Sequence, residues 1–166
     1  NSANWTTDGI DALTDAHEKE ADAIQKVIDK LQEQRDKLSD LAVTNRIALA
    51  QNITERNINS LPLEQRGQAQ LQAAQSAASA GAQATSPEES ERLFKIAQKF
   101  LADAERTAFE TGAFGTIQKH TQFFNQQESE LVAMQERRLA AEDAMIAKKQ
   151  ESLDQQRQYH QTQKEI

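Results

Sequence analysis

Three histidines, His17, His120 and His160, are the side chains best suited to acid–base or metal chemistry near neutral pH. Each stands alone. None has a second histidine three or four residues away, and the chain has no cysteine, so the donor spacing that gathers ligands around a metal is missing. The 26 acidic residues supply many carboxylates, but paired acids catalyse only inside a pocket that holds them apart and dry. No GxSxG, HExxH or phosphate-cradling glycine loop occurs. The chain therefore reads as a non-enzyme, with no catalytic, cofactor-binding or metal-ligating residues and no cofactor. His17, beside Glu18 and Glu20, reads as part of a charged helix surface or, together with Asn45, as a polar residue in a helical seam that helps set register.

That seam runs from about Asp8 to Gln51. Ile10, Leu13, Ile24, Val27, Ile28, Leu31, Leu38 and Leu41 recur close to every seven residues, the spacing that keeps apolar side chains along one line of a supercoiled helix. With Ile10 at position a, His17, Ile24, Leu31, Leu38 and Asn45 follow at a, and Leu13, Val27 and Leu41 fall at d. The seam is narrow, as in a helix that pairs with one or two others. A helix of about 40 residues is on the order of 60 Å long, far beyond an ordinary globular helix. These eight residues are the expected oligomer seam.

After Asn45 the spacing loosens, asparagines accumulate, and Pro62 forces a connection near residues 57 to 63. The next stretch, Glu64 to about Ala80, is rich in Ala and Gln with Leu71 as its large apolar anchor, and Gly81 is expected to stop it. Ser86-Pro87-Glu88-Glu89 is a helix start with Ser as N-cap, Pro at the first helical position and a Glu placed to complete a capping box. Leu93, Ala97, Phe100, Leu101, Ala104 and Ala108 then form one apolar stripe, and Thr111-Gly112 ends the helix. A last helix, from about Thr116 to Gln163, carries Ile117, Phe124, Leu131 and Met145 at multiples of seven. Arg138 and Ser152 interrupt that register, so its later part is expected to fray or to need a partner. The six phenylalanines, from Phe94 to Phe124, read as a local core or a docking patch. Leu93, Ala97, Phe100, Leu101, Ala104, Phe114 and Phe124 are the candidate docking residues.

Composition narrows the choice further. Ala supplies much of the 37% hydrophobic content, leaving few large side chains to fill a broad core, and five Gly and two Pro give few places to turn. The net charge of −7 argues against a direct nucleic-acid site, which needs clustered Lys and Arg. No apolar run is long enough to span a bilayer and no signal-peptide pattern is present. The 22 glutamines, many in the final third, read as a solvated helix face or one that passes a confined channel without sticking. A start at Asn1 and a polar end read as a piece of a longer protein.

The order of these parts carries a resemblance. A coiled-coil lead-in, then SLPLEQRGQAQLQAAQSAASAG, an acidic cap, and RLFKIAQKFLADAERTAFETGAFGTIQ resemble the C-terminal part of tail tape measure proteins of long-tailed bacteriophages over about residues 20 to 124. That family shows a "SPLEQ"-like start and a "LL.LAQ.YLEASR.YYASG"-like second helix. Leu61, Pro62, Leu63, Glu64 and Gln65 match the start; Leu93, Ala97, Gln98, Phe100, Leu101 and Ala104 match the second helix; Thr111, Gly112 and Phe114 match its end. Thr107-Ala108-Phe109 depart from the aromatic pair of the family pattern. The resemblance implies a structural virion protein in the tail tube or tail tip, made in the host cytoplasm, which sets tail length and leaves ahead of the DNA. It also implies a homotrimer in contact with tail-tube and tail-tip hub proteins.

The expected architecture is all-α, with long helices forming a coiled coil or extended rod in a symmetric oligomer. Residues 1–56 are its long coiled-coil helix, 57–111 the connection and two shorter helices, and 112–166 the glycine turn and Gln-rich last helix. A cellular coiled-coil adaptor or a secretion-system helical bundle is the alternative function.

Overall fold

The computed structural model describes residues 2–165, with side chains from Thr6 onward. Its described residues form four α-helices and no strand: α1 (Ser2–Asn59), α2 (Leu63–Gln83), α3 (Pro87–Thr111) and α4 (Ile117–Glu165). The all-α class follows from a chain rich in Ala, Gln, Glu, Lys and Leu with few helix breakers. Two compact units divide at Arg46 and Ile47.

The first unit is the helical stretch up to Arg46. Side-chain pairs one turn apart support it, with Lys37 Nζ 3.3 Å from the Glu33 carboxylate and the Gln25 amide donating to Asp29 at 2.9 Å. Such pairs are each worth only a few tenths of a kcal/mol. The last turns of α1 belong to the second unit, and there the helix outlasts its apolar spacing, running through Asn52 and Asn57 to Asn59. Local hydrogen bonds explain the reach. Ser60 and Leu61 amides donate to the Arg56 and Ile58 carbonyls, the Ser60 hydroxyl donates to the Asn57 carbonyl, and Arg66 donates to the carbonyls of Asn59 and Leu61. Arg66 thus places a cation at a helix C-terminus, where the carbonyl dipoles favour it.

In the second unit, α2 and α3 form an antiparallel hairpin. The tight approach is at one end, where a Cβ on Gly81 would meet the Phe94 ring at 3.2 Å, while at the other end a Cβ on Gly67 would make ordinary contact with Thr107 at 3.5 Å. Gly81 was expected to end α2, but the helix continues to Gln83 and leaves it at Ala84, which is extended. The reason is packing. Gly81 makes room for Phe94, and its carbonyl accepts the buried Ser90 hydroxyl at 2.7 Å. Ala74, Ala77, Ala78 and Gly81 are all buried, so the small side chains allow close approach to Phe94, Ala97, Leu101 and Ala104.

The α3 boundaries follow the sequence. Ser86 accepts the Glu89 amide at 3.2 Å, Pro87 opens the helix, and the Glu89 carboxylate accepts the Thr85 hydroxyl. At the other end Gly112 sits at φ 62°, its amide donating to the Phe109 carbonyl while Ala113 donates to Ala108. This paired arrangement closes the helix in a left-handed residue that Gly adopts without a Cβ penalty. Gly115, at φ 76°, completes the reversal into α4. Only the first part of α4 joins the core, through His120, Phe124 and Leu131, with Met134 half-buried; residues 143 to 165 are exposed.

Candidate functional site

The seven-residue pattern of α1 becomes one exposed apolar line. Ile10, Leu13, Ile24, Val27, Ile28, Leu31, Leu38 and Leu41 are all exposed, from 41% at Ile28 to 67% at Leu38. His17, Glu20 and Asn45, on the same line, are exposed as well. A second feature appears on this helix that the apolar spacing alone does not bring out. Asp8, Asp15, Asp22, Asp29 and Asp36 recur every seven residues at the position farthest from the seam, and all are exposed. One face of this unit is therefore apolar and the opposite face acidic. The apolar line has the spacing of a seam that a second helix covers in a coiled coil.

The candidate docking residues of the second unit divide differently. Ala97, Phe100, Leu101, Ala104 and Phe124 are buried in the core, Ala97 completely, while Leu93 and Phe114 are half-buried. While α2, α3 and α4 remain packed, an incoming partner reaches Leu93 and Phe114 and not the other five. The phenylalanines also separate by place. Phe94 lies against Gly81, whereas Phe114, Phe123 and Phe124 meet at the glycine turn with ring centroids 4.8 to 5.8 Å apart. His120 joins that group, with its Nε2 3.7 Å from the Glu105 carboxylate and its ring beside Phe109, Phe114 and Phe124. An open groove of about 310 Å³ beside this cluster is lined by Leu63, Gly67, Leu71, Ala108, Phe114 and Phe123. Its walls are mostly apolar, Glu64, Gln68 and Thr111 being its polar lining, and no pair of acids or bases converges in it.

One charged contact ties the last turns of α1 to α3. Lys99 donates to the Glu55 carboxylate, and that hydrogen bond is the main reason the Glu55 carboxyl titrates below its ordinary value; Gln51 adds to the effect and partial burial opposes it. Lys99 also lies over the Phe100 ring, 5.8 Å from its centroid.

A further exposed line lies on α4. Val132, Leu139, Ile146 and Leu153 are seven residues apart and all exposed. It falls one position after the Phe124 and Leu131 register, which is why reading that register alone passes over it. Arg138, the first of the two residues that break the register, is half-buried and pairs with Glu142 at 2.7 Å.

Among the described residues no three His, Asp or Glu side chains gather in a way that could hold a metal ion, and no helix is long and apolar enough to cross a membrane. Compared with models of protein families, with curated proteins and with solved structures, the chain matches none.

Proposed function

We propose that this chain is a structural segment of a bacteriophage tail, a tape measure portion held in the tail tube or tail tip that helps set tail length and is released at DNA ejection. The exposed seam of α1 carries this reading: large apolar residues recur at helical-partner spacing over more than four heptads and meet no covering side chains. A chain that leaves this many large aliphatic residues exposed along one helical line works by association with helices. The ordered match of residues 61 to 65 and 93 to 114 to the tape measure pattern supplies the tail assignment. The net charge of −7 and the polar outer face fit a role beside DNA without binding it, since like charge repels the phosphate backbone. Its partners on this reading are further copies of itself and the surrounding tube and hub proteins.

Particle composition tests the proposal. In purified phage carrying this sequence, quantitative mass spectrometry should find its peptides in intact particles and find them depleted from particles that have ejected their DNA. Absence from intact particles would reject the tail reading and transfer the seam to a cellular coiled-coil adaptor.

A further inference from the structure

The α1 seam is nearly palindromic, and its charges choose between two ways of pairing with a second copy. We infer that two copies associate through α1 in antiparallel orientation, about a two-fold axis that passes between Gln25 and Lys26. In this register Ile10 faces Leu41 of the second copy, Leu13 faces Leu38, and Ile24 faces Val27, each layer occurring twice as a two-fold interface requires. His17 meets Gln34, two polar side chains able to share a hydrogen bond. Glu20 meets Leu31, the one mismatched layer.

Parallel pairing keeps a Leu31 to Leu31 layer but is opposed by charge. It stacks the Glu20 carboxylates of the copies at one level of the seam, and it sets Lys30 at position g beside Arg35 at position e of the neighbour. Both juxtapositions join like charges, and the first does so in the part of the interface that water leaves. Antiparallel pairing removes both. Lys30 then flanks Ala23, Arg35 flanks Thr14, and the Glu20 methylenes cover Leu31 while its carboxylate reaches toward Lys30 of the second copy. Ile28, at position e, meets Ala21 and widens the apolar contact. All the residues involved are exposed in the single chain. The pairing does not rest on the tail assignment, whose test is particle composition, and for α1 it sets a two-fold pair in place of the three-fold assembly that the tape measure resemblance implies; orientation is read separately.

The absence of cysteine allows a direct test on the full chain. Ile10→Cys and Leu41→Cys variants are prepared separately, then mixed and oxidised. A disulfide bridges only Cα atoms within about 7 Å, and in the antiparallel pair the two copies of residue 10 lie about 46 Å apart from helical rise. The mixture should therefore yield a disulfide between the two variants, while neither variant alone links to itself. Self-linking of either variant alone, or no link in the mixture, overturns the inference. Lys30→Glu gives a second readout on the cysteine-free chain. Antiparallel pairing predicts weaker self-association, roughly tenfold, because Glu20 now faces a carboxylate; stronger association, through a new pair with Arg35, overturns it.

Discussion

The stretch up to Arg46 and the unit that follows use the same seven-residue arithmetic to opposite ends. On α1 the line Ile24, Val27, Leu31 and Leu38 is exposed; on α3 the line Phe94, Ala97, Leu101 and Ala104 is buried. What separates them is the neighbour. The α3 stripe faces the small residues of α2 from its own chain, so closely that a Cβ added to Gly81 would meet the Phe94 ring at 3.2 Å. Spacing fixes which residues share a face, and the partner decides whether that face becomes a core or a surface for association.

Substitutions in the core should produce the largest effect. Phe100→Ala empties a site that is 3% exposed and should destabilise the second unit by about 3–5 kcal/mol in denaturant unfolding. Self-association through α1 should be unaffected under conditions where that unit remains folded. Gly81→Val should come next, at about 1–3 kcal/mol, because its side chain enters space already filled by the Phe94 ring. If Gly81→Val were neutral, close helix approach would not be what holds α2 to α3.

On the other side of the comparison, an isolated helix without its partner is only marginally stable in water. The helical circular dichroism signal of the intact protein should therefore rise with concentration, and Leu31→Asp should remove that rise while the unfolding midpoint of the second unit stays in place. A midpoint that fell with Leu31→Asp would show the two units sharing one stability. The smallest effect should be at Glu55. Its carboxyl is depressed in the folded chain, so its contribution is present above the ordinary carboxylate range and is lost as pH falls through the folded value. Lys99→Met should cost about 0.5 kcal/mol near neutral pH and flatten that acid-side loss, read from unfolding at several pH values.

Much of the fold is legible in the sequence because its signals are local. Ser86, Pro87 and Glu89 announce the start of α3, Gly112 announces its end, and Pro62 separates α1 from α2. Gly81 misleads because its role is tertiary: nothing adjacent in sequence reveals that Phe94, thirteen residues later, needs the space. The same limit applies to the docking candidates. The spacing of Ala97, Phe100, Leu101 and Ala104 places them on one stripe, but only the α2 and α4 packing shows that the stripe is already covered. Arg66 is likewise unremarkable in sequence until the end of α1 supplies carbonyls within its reach.

Sedimentation equilibrium of the full chain and its Leu31→Asp variant, from micromolar to submillimolar concentration, tests the central claim most directly. The wild-type chain should associate as concentration rises, and the variant should remain monomeric with its second unit still folded. A wild-type chain that stays monomeric throughout, or a variant with unchanged oligomeric mass, would contradict the assignment of α1 as the association surface.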